Sequence, residues 1–220
     1  MVNDSHLKNR VAVCMSGQPR FVKECQETIK KNLIEKYKAD VYIHSWDYSD
    51  IIGQPFNIKY PDRGIVESNF KESLMLYNPV KIQLEKPIFD SADWLSGVKS
   101  MFYSFHKSIE LVDTEKYDCI VKIRSDNLLY NCVIDFDYLD YFNTTDFRGK
   151  YYCKDIIFYS SGKNMKRISE IYRDFDFLFN SLPQDDRMNE TLIGKKLEIC
   201  NIPVRTSLLH YDMFRMVKNK

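Results

Sequence analysis

The opening of the chain alternates short apolar runs with one longer amphipathic segment, and this order limits the available folds more than any other feature. Residues 10–16 (R-V-A-V-C-M-S) and 39–46 (A-D-V-Y-I-H-S-W) are rich in apolar and β-branched residues, which is typical of buried strands. Over residues 21–37, apolar residues recur at helical spacing with charges between them. A strand, a helix and a second strand within about 36 residues predict a βαβ unit, whose strands are parallel and whose crossover is right-handed.

The same alternation continues along the rest of the chain. It predicts helices over residues 65–77, 98–112, 165–179 and 186–197, and strands over residues 80–84, 119–123, 155–159 and 202–206. Residues 48–64 are predicted to form a loop, residues 87–97 are irregular, and residues 131–150 fit no regular element. We therefore predict a Rossmann-like α/β fold: a single domain over residues 1–220, with a mainly parallel central sheet flanked by helices.

Composition argues against two classes of protein. The 32 Lys and Arg residues balance 31 Asp and Glu residues, for a formal charge of +1, whereas a general nucleic-acid binder usually carries a basic excess. No stretch approaches the ~20 apolar residues of a membrane span, and the polar first residues lack the apolar core of a secretory signal. The six cysteines form no C-x-x-C pair, which favours a cytoplasmic protein, and we interpret Cys14 and Cys119, which lie inside apolar runs, as core residues.

The turn after the first strand is the first candidate binding site, because ligands of open parallel sheets bind beyond the carboxyl ends of the strands. It contains Ser16, Gly17, Gln18 and Arg20. Gly17 permits a tight turn, the following helix N-terminus offers N–H groups to an anion, and Arg20 can pair with a phosphate. The alternative is an ordinary βα turn with a surface arginine.

Asp47 follows the second predicted strand directly. A carboxylate at this place can accept hydrogen bonds from a ribose or a base edge, and the neighbouring Trp46 could stack on a base. The alternative is that Trp46 is a core residue and that Asp47 caps the turn after it.

A row of charges ends the strand predicted over residues 119–123. Strand alternation puts Lys122, Arg124 and Asp126 on one face. Buried charges are costly unless they are paired or bound to a metal, so this row favours a polar ligand, with Asp126 offering oxygen to Mg²⁺ or Mn²⁺. The alternative is a structural Arg–Asp pair.

Later acidic residues are candidates for catalysis. Asp186 and Glu190 lie four residues apart, on one face of a predicted helix, and either could act as general base toward a sugar hydroxyl. Asp155 opens a predicted strand and is expected to face the same cleft, and His210 is a candidate late metal ligand. The alternative for the acidic residues is that they stabilise the start of a helix through its dipole. The alternative for His210 is a structural role.

Five segments form an ordered set along most of the chain. They are V-A-V-C-M-S-G-Q-P-R-F at residues 11–21, A-D-V-Y-I-H-S-W-D at 39–47, S-M-F-Y-S-F-H-K-S-I-E-L at 100–111, Y-D-C-I-V-K-I-R-S-D at 117–126 and D-I-I-F-Y-S-S at 155–161. The set resembles a group of glycosyltransferase-like proteins in bacterial polysaccharide loci and large DNA viruses. Each motif alone is only moderately specific, and the order makes the resemblance much stronger.

This resemblance implies a GT-A fold and a hexosyl- or pentosyltransferase that uses a nucleotide-sugar donor, with a UDP-sugar favoured, a glycan acceptor and Mn²⁺ or Mg²⁺. In such enzymes a short acidic motif, often D-x-D, holds the metal against the diphosphate. Here the motif reads R-S-D, so only Asp126 carries over as the metal carboxylate, and Arg124 is expected to touch the diphosphate directly.

Two competing functions remain open at this point. One is a non-catalytic domain that binds nucleotide sugars or glycans, which would depend on residues 16–20 and lose nothing when Asp186 or Glu190 is changed. The other is a metal-dependent phosphoesterase that uses Asp126, Asp155 and Glu190. No phosphatase D-x-D-x-[TV] signature follows a strand, which weighs against the second.

Overall fold

A computed structural model describes residues 9–57, 64–88, 93–148 and 152–214. The strands are β1 (Val11–Gly17), β2 (Asp40–Trp46), β3 (Lys81–Glu85), β4 (Cys119–Ile123), β5 (Asn127–Cys132), β6 (Phe142–Thr144), β7 (Phe147–Arg148), β8 (Tyr152–Cys153), β9 (Phe158–Ser161), β10 (Val204–Thr206) and β11 (Leu209–Met213). The α-helices are α1 (Val22–Ile29), α2 (Glu35–Tyr37), α3 (Phe70–Met75), α4 (Trp94–Glu110), α5 (Gly162–Ser169), α6 (Phe175–Ser181) and α7 (Asn189–Cys200).

Seven strands form one mixed sheet in the order β10-β6-β9-β4-β1-β2-β3. Strand β9 runs antiparallel to both of its neighbours, β4 and β6, and every other neighbouring pair is parallel. The predicted α/β fold with a mainly parallel central sheet is therefore confirmed, with one reversed strand that the sequence did not indicate.

The predicted βαβ unit is confirmed. β1 and β2 pair in parallel, from Ala12 opposite Asp40 to Gly17 opposite Ser45. The helix between them begins as α1, passes through a π-helical stretch over Lys30–Ile34 and ends as α2.

Helices cover both faces of the sheet, because the strands alternate their side chains between two cores. Ala12 and Cys14 of β1 pack in the core beneath α4, α5, α6 and α7, whereas Val13 and Met15 pack in the core beneath α1 and α3. All six cysteines are free and buried, which confirms the interpretation of Cys14 and Cys119 as core residues.

Several predicted boundaries are wrong, for local reasons. Helix α4 starts inside the segment predicted to be irregular, because the Asp93 side chain accepts a hydrogen bond from the N–H of Ser96 at 2.8 Å and caps it. The helix predicted over residues 165–179 is two helices, α5 and α6, and the helix predicted over 65–77 is confined to α3. Strand β9 begins three residues later than predicted.

Two short antiparallel sheets were not predicted. One pairs β5 with β11, and the other pairs β7 with β8. The first lies next to the charged row at the end of β4, since the N–H of Phe214, just after β11, donates to the carbonyl of Asp126 at 3.0 Å. Within the described ranges, no helix combines the length and the apolar character that crossing a lipid bilayer requires.

Candidate anion-binding site at the sheet edge

The topology singles out the gap between β1 and β4. After β1 the chain builds β2 and β3 on one side, and it then returns to place β4 on the other side of β1. Such a reversal leaves a crevice at the carboxyl ends of the two central strands, where ligands of open α/β sheets bind. Because Met15 lies opposite Ile123, the turn after β1 lies beside Arg124 and Ser125.

The turn after β1 requires glycine. Gly17 has φ of 109°, a conformation that side-chain-bearing residues rarely adopt. Its N–H donates to Ser104 Oγ at 2.7 Å, and its carbonyl accepts from Ser45 Oγ at 2.8 Å. The tight turn predicted at this position is confirmed, and it is bonded to helix α4 and strand β2.

The same turn is bonded to β4. Ser125 Oγ lies 3.1 Å from the carbonyl oxygen of Gln18 and 3.2 Å from that of Arg20. The Gln18 side-chain amide donates to the Tyr48 hydroxyl at 3.3 Å. The backbone that carries Gln18 and Arg20 is therefore held from both sides of the crevice.

A small hollow opens beside this turn. It is lined by residues of β1, its turn and β2, with contributions from α3 and from the turn after β4: Met15, Ser16, Gly17, Gln18, Pro19, Ile43, His44, Ser45, Leu74 and Ser125. The hollow marks the point where the crevice opens next to the Gly17 turn.

Two arginines meet over one carboxylate in the crevice. Arg124 donates to Asp126 through Nε at 2.9 Å and through Nη2 at 2.7 Å, and Arg20 Nη2 lies 3.2 Å from Asp126 Oδ2. The Asp126 side chain is only 2% exposed, whereas those of Arg20 and Arg124 are 11% and 17% exposed. Burial alone would lower the pKa of Arg124, but Asp126 raises it above the ordinary value. The carboxylate is therefore more completely covered than either of the two arginine side chains.

The residues predicted to bind a metal do not fit that role as they are arranged. Both oxygens of Asp126 accept from guanidinium groups. His210 is exposed on β11 opposite Asn131, three positions along β11 from Met213, which lies opposite Asn127. Among the residues that the structure describes, no three acidic, histidine or cysteine side chains form a group that could hold a metal ion. The binding of Mn²⁺ or Mg²⁺ thus stays a prediction, and the described residues contain no group of ligands for it.

Asp155 reaches the crevice because β9 is antiparallel. Phe158 at the start of β9 lies opposite Lys122, so the residues before β9 lie at the carboxyl end of β4. Lys122 Nζ donates to the carbonyl of Asp155, and the Asn189 side chain donates to Asp155 Oδ2 at 2.7 Å. Burial lowers the pKa of Lys122 to about 8.

Glu190 lies close to Asp155, and Asp186 does not join them. Burial and then the charge of Asp155 raise the pKa of Glu190 above its ordinary value. Asp186 is exposed in a 3₁₀ turn before α7, and its carbonyl accepts from the Thr191 hydroxyl. The prediction that Asp186 and Glu190 share one helical face is therefore wrong, since α7 begins at Asn189.

Trp46 and Asp47 match the alternative considered for them. Trp46 is 1% exposed and its ring stacks on Tyr103 at a centroid distance of 5.6 Å. Asp47 Oδ1 accepts from the N–H and hydroxyl of Ser49, and Oδ2 accepts from Lys71 at 2.9 Å. These hydrogen bonds lower the pKa of Asp47 to about 2. Asp47 therefore caps its own turn.

A buried polar network beneath the β1 turn was not predicted. His44 Nδ1 and Ser104 Oγ are 2.8 Å apart, and His44 Nε2 lies 3.4 Å from Glu85 Oε2. The Tyr103 hydroxyl donates to the same Glu85 oxygen at 2.7 Å. Ser104 was unremarkable in the sequence because nothing local distinguishes a buried helix serine that bonds to two distant strands.

Tyr211 was also missed. Its pKa is raised by burial, and its hydroxyl interacts with the charges of Lys154, Asp155 and Arg124. It belongs to β11, an element that the sequence did not predict. Its one local signal is its position next to His210, the predicted metal ligand.

Comparison of the chain with models of protein families gave no match, and comparison with curated proteins gave none either.

Proposed function

We propose that this protein is a glycosyltransferase of the GT-A type that transfers a sugar from a nucleotide-diphosphate donor to a glycan acceptor. The observation that carries the proposal is the pair Arg20 and Arg124, whose partly exposed side chains bind the buried Asp126 at the crevice between β1 and β4. The ordered motifs supply the reaction class, and the mainly parallel sheet is compatible with the GT-A fold.

The donor is proposed to lie along this edge. Its diphosphate pairs with Arg20 and Arg124, because guanidinium groups match phosphate oxygens in charge and geometry. The nucleoside lies toward the hollow beside the Gly17 turn.

The chemistry is proposed to use Glu190 as general base. Its raised pKa makes it a better proton acceptor than an ordinary glutamate, and Asp155 and Asn189 lie beside it. Glu190 takes the proton of the acceptor hydroxyl while that oxygen bonds to the anomeric carbon. The bond from this carbon to the diphosphate breaks, and its electron pair leaves with the diphosphate, where Arg20 and Arg124 stabilise the developing charge.

A thermal-shift screen tests the donor site. Purified protein is heated with UDP-, GDP-, CDP- and dTDP-sugars, since a ligand that binds the native state raises the melting temperature. We expect one nucleotide family, UDP-sugars first, to raise it. The absence of a shift with every donor would contradict the proposal and favour the phosphoesterase, which would then be tested on phosphate esters without a sugar acceptor.

Turnover of the donor identified in this way separates an enzyme from a binding domain. Glu190→Gln should keep the thermal shift and lose release of the nucleoside diphosphate, by about 100-fold or more. Glu198→Gln, on the same helix in an exposed pair with Lys195 at 2.7 Å, is the matched control and should retain turnover. Binding without turnover in the wild-type protein would leave a nucleotide-sugar-binding domain.

The six free, buried cysteines fit the proposed cytoplasmic location, since a reducing compartment keeps thiols unpaired.

A further inference from the structure

We infer that the crevice binds a diphosphate through the two arginines without a divalent metal, and that Asp126 is a positioning residue for their guanidinium groups and not a metal ligand. This inference rests on the proposed function for the identity of the anion. It departs from what the R-S-D motif implies by resemblance.

The order of charges from solvent inward supports the inference. A ligand that enters the crevice can reach the arginine side chains, which are 11% and 17% exposed, whereas Asp126 is almost completely covered. A divalent cation on this path would approach two positive groups before it reached the carboxylate, which is electrostatically unfavourable. An anion on the same path is attracted.

The hydrogen-bond geometry of Arg124 points the same way. Arg124 binds Asp126 through Nε and Nη2, which lie on one edge of the planar guanidinium group. Its Nη1 therefore lies on the side turned away from that carboxylate. Arg20 reaches the same carboxylate through Nη2. The carboxylate thus fixes both planes, and a fixed guanidinium group loses less conformational entropy when it binds a phosphate.

Asp126 could act as a metal ligand only if its hydrogen bonds were rearranged. For a cation to bind, Arg124 would have to give up two hydrogen bonds of 2.9 and 2.7 Å, and Arg20 would lose its ion pair. Arg20 and Arg124, whose side chains are only 11% and 17% exposed, would then remain without their carboxylate, and such an arrangement is disfavoured.

Calorimetric titration with inorganic pyrophosphate tests the inference on the wild-type protein. Pyrophosphate carries the diphosphate charge and no base, so the result does not depend on which nucleotide is the donor. We expect binding in EDTA, with a Kd that changes by less than about twofold when Mg²⁺ replaces EDTA and the metal–pyrophosphate complex is accounted for. Binding that requires Mg²⁺ would overturn the inference and leave the proposed function standing, whereas no binding in either condition would contradict both.

Variants then assign the residues. In EDTA, Arg124→Gln should weaken pyrophosphate binding by about tenfold or more, because charge-assisted hydrogen bonds are lost. Arg173→Gln is the matched control: it removes an arginine that is 59% exposed and paired with Glu170, and it should bind as the wild type does. Equal binding by wild type and Arg124→Gln would overturn the inference.

The positioning role of Asp126 has its own readout. In EDTA a pure metal ligand contributes nothing, so Asp126→Asn should leave pyrophosphate binding unchanged if Asp126 only holds a metal. We expect it instead to weaken binding, and we expect Asp126→Glu to recover part of the loss because the charge is restored. If Asp126→Asn is too unstable to titrate, the comparison of Asp126→Glu with wild type in EDTA still decides, since unchanged binding there would contradict positioning.

Discussion

Two polar clusters lie on opposite sides of β1 at the same edge of the sheet, and they differ in what they present to solvent. Between β1 and β4, Arg20 and Arg124 are partly exposed over a buried Asp126. Between β2, β3 and α4, His44 and Ser104 are completely buried and bonded to each other. Under the proposed function the first cluster binds the ligand, whereas the second cluster makes its hydrogen bonds inside the protein.

Under the proposed function, this difference separates residues that bind the ligand from residues that hold the binding residues in place. Ser104 accepts from the N–H of Gly17, so the buried network fixes the turn from which Arg20 projects. The exposed cluster therefore depends on the buried one, and changes in the two should fail in different ways. A change in the exposed cluster should alter the charge at the site and therefore ligand binding. A change in the buried cluster should loosen the turn after β1.

The largest effect on stability is expected for Asp126→Asn. Removing one partner of a buried ion pair leaves uncompensated charge, here on two arginines, and costs about 3–5 kcal/mol. Urea unfolding measures the loss. The control is Asp113→Asn, which breaks an exposed pair with Lys116 and should cause no measurable change. A loss below about 1 kcal/mol at Asp126 would mean that the pair behaves as a surface salt bridge.

A smaller loss is expected for Ser104→Ala. It removes the acceptor of the Gly17 N–H and the partner of His44, and a buried polar group without its partner costs about 1–3 kcal/mol. Ser108→Ala on the same helix is the matched control, because Ser108 is equally buried and donates to the carbonyl of Phe105 in its own helix. Ser104→Ala should also weaken pyrophosphate binding, and Ser108→Ala should not. Equal effects of the two variants would refute the supporting role.

Much of this arrangement was predictable. The strand ends carry local signals: the apolar run before residues 16–20 and the charged alternation at Lys122, Arg124 and Asp126 identified both halves of the crevice. Both signals are local, because an apolar run and the alternation of a strand can be recognised from neighbouring residues alone. The βα turn and the parallel pairing of β1 with β2 followed from the same patterns.

What escaped prediction depends on contacts between distant segments. Ser104 bonds to Gly17 from 87 residues away, and no local pattern signals this. The ion pair between Arg20 and Asp126 joins the turn after β1 to the residues after β4, and no local pattern signals it. The reversed direction of β9 was hidden because a short buried strand reads alike in either direction, yet this reversal is what puts Asp155 at the edge.

The buried network also predicts a pH effect. Burial lowers the pKa of His44 below its ordinary value of 6.5, although Glu85 and Glu110 favour the charged form while Lys107 opposes it. Below pH 6.5 the unfolded chain therefore binds the proton more readily than the folded chain. Stability should fall as the pH decreases from 7 to 5, by at most about 1.4 kcal/mol per pH unit for one proton.

The variant His44→Asn tests this dependence, because asparagine does not titrate and keeps a polar atom near Ser104. Its unfolding free energy should vary less between pH 7 and 5 than that of the wild type. His210→Asn, an exposed change outside the network, should retain the wild-type slope. If the unfolding free energy of His44→Asn changes with pH as much as that of the wild type, groups other than His44 cause the pH effect.

The smallest effect on stability is expected for Asp47→Asn. The same variant tests whether Asp47 contacts the ribose of a donor. The folded pKa of about 2 lies below the ordinary 3.8, so Asp47 stabilises the fold above pH 3.8, and this contribution is lost as the pH falls through 2. Asp47→Asn should cost about 0.2–1 kcal/mol at neutral pH, since the pair with Lys71 is partly exposed, and nothing below pH 2.

Donor binding decides what this carboxylate does. Both Asp47 oxygens already accept hydrogen bonds from Ser49 and Lys71, so we expect Asp47→Asn to leave the thermal shift with the donor unchanged. Asp50→Asn, which breaks a fully exposed pair with Lys86, should alter neither stability nor binding. If Asp47→Asn instead abolishes the donor shift, the carboxylate exchanges its turn contacts for a ribose. The binding site would then extend across β1 onto the side occupied by the buried network.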